Sequence, residues 1–235
     1  MRSILHEQQN TTLTLNHTYA HFFVVVYQTT TDRWKRNDYP KAQTCPPMTS
    51  FLDKINNYIK SLDNDTLTAL QSISLEKKFK KGHLLLRQNE ICGKSYLLVK
   101  GIARKYYIND SKEITTELYF ENDLAISFDS YALQQPSREF IEALTDVTVS
   151  VTYYQAFQEA KAKYPKLLSL DLMLAEYYAM WVENRLFQFH TLTATERYLD
   201  ILDKSPHIVQ AIPLTIIASY LGISLETLSR IRAKI

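Results

Sequence analysis

Pro213 to Ile235 reads PLTIIASYLGISLETLSRIRAKI. At helical spacing, Ile217, Ala218 and Leu221 share one face of a first short helix, and Leu228, Ile231 and Ile235 share one face of a second. Gly222 lies between them, where a sharp turn needs a residue that tolerates positive φ. Ser224 is placed as the N-cap of the second helix, with Glu226 and Thr227 in its first turn. Ala218 is small where the two helices must cross closely. Helix, glycine turn and N-capped helix is the layout of a helix-turn-helix, whose second helix enters the DNA major groove with its N-terminal residues at the base edges. The outward face of that helix is expected to carry Leu225, Glu226, Ser229 and Arg230, with Arg232 and Lys234 near its end. A helical hairpin that only closes a domain has the same two stripes and the same glycine. The intervals of Ala218, Leu221, Gly222 and Ile223, and the absence of acidic residues after Glu226, favour the DNA-binding layout.

Just upstream, Thr193-Ala194-Thr195-Glu196 is a capping-box pattern that opens a helix with Tyr198, Leu199 and Leu202 facing inward; Ser205-Pro206 ends it. Residues 166–189 form the longest helical pattern. Leu167, Leu170, Leu174, Tyr177 and Trp181 step by three and four, and Met173, Met180 and Phe187 widen the apolar surface. A helix apolar over so wide an arc must bury two faces. One can lie on the barrel. The Leu167–Trp181 seam is expected to meet the same helix of a second copy; a single buried helix of a monomer has the same periodicity.

Between residues 79 and 153 the period is shorter. His83–Gln88, Tyr96–Val99, Ile102–Ile108, Ile114–Phe120, Phe140–Leu144 and Val147–Tyr153 read as strands, with turns at Lys81-Gly82, Gly93, Lys100-Gly101 and Asn109-Asp110. Short strands at this spacing predict an antiparallel barrel or sandwich. Residues 50–74 read as one or two short helices and Ala156–Lys163 as another. The fold class is therefore α+β.

Residues 1–47 differ in character: Thr, Asn, His and Gln surround a short FFVVVY run, and Cys45-Pro46-Pro47 closes the stretch before Met48. The reading is an extension, disordered or translated only by a mis-assigned start, with Met48 as the true first residue. His17 and His21 are four apart but have no third ligand nearby, so no metal site is assigned. The expected organisation is 1–47 extension, 48–164 barrel, 165–190 long helix and 191–235 helix-turn-helix. Among 235 residues 46% are hydrophobic, enough for real cores, and a net charge of +2 is too small to imply nucleic-acid binding by itself. Two cysteines, Cys45 and Cys92, exclude a disulfide framework and a four-cysteine cluster. A reduced cytoplasm is the simplest setting. No apolar run approaches a membrane span.

The order barrel, long helix, helix-turn-helix resembles the Crp/Fnr family of bacterial transcription regulators over about residues 50 to 235. The resemblance is carried by YLLVKGIARKYY, LTATERYLDILDKSP and IASYLGISLETLSRIRAKI. It implies a β-roll sensor of the cyclic-nucleotide-binding kind, a dimerisation helix and a DNA-binding domain. The implied partners are palindromic double-stranded DNA, a second copy of the chain and RNA polymerase. Where the family's recognition helix often reads Arg-Glu-Thr-x-x-Arg, this chain has Leu225, Glu226, Thr227, Leu228, Ser229 and Arg230. Glu226 and Arg230 match and are the implied base readers, Arg toward guanine and Glu toward a cytosine amino group; Leu225 and Ser229 lie beside them. Ser224 and Thr227 match phosphate-contacting positions, and Arg232 and Lys234 are expected on phosphates too.

The sensor departs from the cyclic AMP binders. Their Gly-Glu pair for the ribose is absent from FENDLAISFDSYALQQPSREF, and their Arg-Ser pair for the phosphate stands reversed and about one place displaced as Ser137-Arg138. Arg138 can meet an anion or lie solvated on the surface. The effector is therefore not expected to be cyclic AMP. No iron–sulfur cluster, haem or metal is expected; His83 reads as a turn or strand-edge residue. A wing after the recognition helix is not visible. The alternative function is a sensor or scaffold whose helical end binds protein. An enzyme is not expected, since only His83 of six histidines lies in the strand region and no nucleophile-elbow, Walker or zincin motif occurs.

Overall fold

Val147, Val149 and Val151 are buried while Thr148, Ser150 and Thr152 between them are only partly so, the two-residue alternation of a strand with one face on a core. In the computed structural model, which describes residues 48–235, this strand is the spine of a β-roll. His17, His21, Cys45 and the reading of residues 1–47 lie outside the described residues.

The chain enters through two helices, α1 (Met48–Lys60) and α2 (Asn64–Ser72). The strands follow as β1 (Ser74–Phe79), β2 (Leu84–Leu86), β3 (Lys94–Lys100), β4 (Ala103–Asn109), β5 (Lys112–Tyr119) and β6 (Leu124–Ala125). A short helix α3 (Phe128–Leu133) precedes β7 (Phe140–Ala143) and β8 (Val147–Tyr153). Helices α4 (Tyr154–Lys163), α5 (Pro165–Thr191), α6 (Ala194–Lys204), α7 (Ile208–Ala211), α8 (Leu214–Leu221) and α9 (Leu225–Arg232) complete it. Among the described residues no strand follows β8. The strands form two antiparallel sheets, β1-β8-β3-β6 and β2-β7-β4-β5, packed face to face around Leu86, Tyr96, Leu98, Ile141, Val149 and Val151.

Three differences from the expected elements have local reasons. β1 begins at Ser74, before the expected change of period; SLEKKF pairs with β8 but is mostly exposed and carries little apolar signal. β6 is two residues long, too short to show a period. α3 and α7 are single turns or little more, and α3 ends at Gln134, a non-glycine residue at φ +50°.

Two further cores lie outside the roll. α1, α2, α4 and α5 enclose Ile55, Ile59, Leu70, Phe157, Leu167 and Leu170. The C-terminal helices enclose Tyr198, Ile201, Ile208, Ile217, Leu221 and Leu228, and Leu118 and Leu144 from the second sheet join them. The C-terminal domain and the roll therefore share one core, and no flexible gap separates them.

Gly101 closes the β3–β4 turn at φ +99°, and a Cβ there would sit 2.5 Å from the Asp146 carbonyl oxygen and 2.9 Å from Val147 Cγ1. Gly101→Ala should lower roll stability by about 1–3 kcal/mol from the backbone conformation alone, with more from the contact with Asp146. A urea midpoint equal to wild type would show that the turn relaxes freely.

Candidate DNA-reading helix, helix face and sensor pocket

α8 ends at Gly222, which adopts φ +68°. Ser224 then caps α9, its hydroxyl accepting the Thr227 N–H at 3.2 Å. Ile217, Ala218, Leu221, Leu228 and Ile231 are buried. The other side of α9 faces outward: Ser224, Leu225, Glu226, Ser229, Arg230, Arg232 and Lys234 are exposed and Thr227 is half-buried. The Arg230 guanidinium donates to Thr227 Oγ1 at 3.1 Å. The Glu226 carboxyl is held below its ordinary range, first by its own backbone N–H at the helix start and then by the Ser224 hydroxyl, with the nearby Arg230 charge a smaller cause. A carboxylate and a guanidinium are thus presented side by side at the N-terminal end of an open helix face.

The long helix corrects the expected seam. Leu167 and Leu170 are 0% and 3% exposed within this one chain, packed with Leu174 and Tyr177 on α1, α2 and α4. Trp181 stacks near Tyr178. From Leu167 to Tyr177 the seam is covered within the protomer. One residue further along, Leu168, Leu172, Ala175, Ala179, Val182, Leu186 and Phe189 repeat the same four-three spacing. At 3.6 residues per turn this second stripe lies roughly 130° around the helix from the first. Leu168 and Leu172 are 59% and 60% exposed, and Val182, Leu186 and Phe189 are also open. A heptad stripe in water is the surface a second helix covers.

Inside the roll, Lys105 on β4 reaches Glu117 on β5 at 2.6 Å and Glu139 before β7 at 3.7 Å. Burial opposes the Lys105 charge, but Glu117 and then Glu139 outweigh it and hold the ammonium protonated above its ordinary range. Glu139 also accepts from the Ser127 hydroxyl at 2.8 Å, and the Ser137 hydroxyl donates to Ser127 Oγ at 3.0 Å. From α5, the Tyr178 hydroxyl donates to Glu117 at 3.2 Å and its ring stacks on Phe128. Burial, and then the Glu117 charge, push that phenol up to about 12. Sequence reasoning missed Lys105, Glu117, Glu139 and Tyr178; they come from four separate segments, and only an unusual density of charges in strand positions hints at them. Of the two expected effector residues, Ser137 is buried in this network, whereas the Arg138 side chain is 84% exposed and pairs with Asp129 at 3.0 Å. The structure does not bring them together. Cys92 is buried in the roll core with its N–H on Ser130 Oγ, and the His83 ring stacks on Phe79 at 4.6 Å.

The model of the cyclic nucleotide-binding domain family matches residues 76–164. The match runs from β1 through α4 and so takes in the whole of both sheets apart from the first residues of β1. Among solved structures, the chain is similar to FixK2 from Bradyrhizobium japonicum, with 20% identity, a TM-score of 0.57 and coverage of 69% of this chain and 84% of that one. It is also similar to the c-di-GMP responsive global regulator CLP from Xanthomonas campestris, with 14% identity, a TM-score of 0.55 and coverage of 73% and 91%. A regulator assigned to the Crp/Fnr family from Eubacterium rectale gives 20%, 0.54, and 74% and 85%. No curated protein matches the sequence. At these identities the likeness is one of fold, and the fold is that of Crp/Fnr-type regulators. The last two of these structures are described as regulators. Among the described residues no helix is long and apolar enough to cross a membrane.

Within the residues this model matches, the segment compared above with the phosphate-binding pair of the cyclic AMP binders contributes Ser137 and Glu139 to the interior instead of an arginine. One ammonium there faces two carboxylates.

The two faces of α5 separate by substitution. Leu170→Glu should cost at least about 3 kcal/mol and leave little folded protein, because it buries an unpaired charge. Leu168→Glu combined with Leu172→Glu should leave a wild-type circular dichroism spectrum at 25 °C. Loss of folding in the double variant would place that stripe inside the protomer.

Proposed function

We propose that this protein is a DNA-binding transcription regulator of the Crp/Fnr type, a homodimer joined through the outward stripe of α5, reading a two-fold symmetric operator without cyclic AMP. The observation that carries the reading is α9: its apolar side is buried while Glu226, Ser229 and Arg230 stand exposed at its N-terminal half. In that position a helix entering the major groove brings Glu226 and Arg230 to base edges, with Leu225 and Ser229 beside them. Ser224 and Thr227 are at the helix start, where phosphate oxygens meet N–H groups, and Arg232 and Lys234 add charge further along. The Leu168–Phe189 stripe supplies the dimer, and RNA polymerase is the partner the family resemblance implies.

The pocket argues against cyclic AMP. A phosphodiester brought to Glu117 and Glu139 meets like charge, and Lys105, the cation at hand, is already engaged. The Tyr178–Glu117 hydrogen bond ties α5 to the roll with the chain's own groups. The setting proposed is the cytoplasm, and no catalytic activity is assigned.

Selection of bound sequences from random DNA by the full chain should return a palindromic motif. Arg230→Ala should weaken the selected site by about 1–3 kcal/mol and relax one symmetric pair of positions. An unchanged sequence preference would remove Arg230 from the base readers, and recovery of no motif would favour a helical end that binds protein. Isothermal titration with cyclic AMP should show no binding heat; micromolar affinity would overturn the pocket argument.

A further inference from the structure

The C-terminal turn of α8 is held by two arginines from different helices. Arg185 of α5 donates from Nη2 to the Tyr220 carbonyl at 2.6 Å, and its guanidinium lies 3.8 Å from the Tyr220 ring centre and 4.4 Å from that of Phe189. Arg197 of α6 donates to the Leu192 carbonyl at 2.6 Å and the Leu221 carbonyl at 3.1 Å, with its guanidinium 4.9 Å from the Phe189 ring centre. Phe189 thus serves two guanidinium groups, each aimed at the last carbonyls of α8. These carbonyls have no helical partner and carry the negative end of the helix dipole. The Nε atoms of both arginines are buried. Gly222 brings the turn against the same ring: a Cβ there would stand 3.2 Å from Phe189 Cε1.

α8 is gripped a second time along its side. β5 is the outer strand of its sheet, so its free edge presents backbone donors and acceptors. Ser219 of α8 meets them as a neighbouring strand would, accepting the Thr115 N–H at 2.9 Å and donating to the Glu113 carbonyl at 3.1 Å. α9 in turn shares a buried core with α8 through Ile217, Leu221 and Leu228.

We propose that the Arg185–Phe189–Arg197 stack and the Ser219 latch form a rigid joint that fixes the recognition helix relative to the long helix, and so sets the half-site spacing the protein accepts. The inference rests on the regulator reading above. Arg185, Arg197 and Ser219 are positioning residues; none of them need touch DNA. Arginine is required at 185 because a planar guanidinium can stack on two rings and donate to a carbonyl at once, which an ammonium cannot. Two recognition helices joined through α5 would carry any slack in this joint directly into their separation, which must match one helical turn of DNA.

The test uses the full chain and the selected operator with its two half-sites moved apart or together by one and two base pairs. Wild type should bind the natural spacing about tenfold tighter than a spacing changed by one base pair, a difference of about 1.4 kcal/mol. Arg185→Leu and Ser219→Ala should each reduce that preference to about threefold or less, while sedimentation still shows a dimer and the half-site sequence stays unchanged. A purely stabilising role would lower affinity for every spacing alike. Folded, dimeric variants with the wild-type spacing profile would overturn the inference. If Arg185→Leu does not fold, Ser219→Ala decides alone. A wild-type chain that binds no DNA would overturn the regulator reading and this inference with it, whereas sharp binding by both variants overturns the joint only.

Discussion

Burial of Leu167 and Leu170 among α1, α2 and α4 is the contact on which the rest of the arrangement depends. It fixes the rotation of α5 about its own axis. With that rotation set, Tyr178 points at Glu117 inside the roll, Arg185 points at the end of α8, and Leu168, Leu172, Val182 and Leu186 are left facing water. One helix therefore touches the roll, the C-terminal helices and the open side of the protomer, and each contact constrains the other two. A rotation by one residue, about 100°, would break all of them together.

The interior of the roll holds a charged cluster beside its apolar core. A buried ammonium between two carboxylates is tolerated because each partner has further hydrogen bonds, from Ser127 to Glu139 and from Tyr178 to Glu117. Tyr178 holds α5 against the roll through this hydrogen bond and through its stacking on Phe128.

The helix-turn-helix was legible because its signals are local: a glycine at positive φ, a serine cap and two apolar stripes all lie within one short segment. The capping box at Thr193 was legible for the same reason, and its two hydrogen bonds are present. The seam of α5 was not. Leu167, Leu170, Leu174, Tyr177 and Trp181 have the same four-three spacing as Leu168, Leu172, Ala175, Ala179 and Val182, and periodicity cannot say which stripe the rest of the chain covers. Only the helices that precede and follow the roll make that choice. The Lys105 network was hidden for a related reason: its members come from β4, β5, the segment before β7 and α5, and nothing in any one segment pairs them. Arg138 shows the converse. A motif-like residue stood in the expected stretch, yet its side chain turned outward to Asp129.

The Ser219 hydroxyl also bears on how the chain behaves before it is complete. It covers a stretch of β5 that would otherwise be an open sheet edge. During synthesis the roll emerges first, and until α8 arrives that edge is free to pair with the edge of another chain. By docking on β5, the C-terminal helices cover the surface through which unfinished copies would stick to one another.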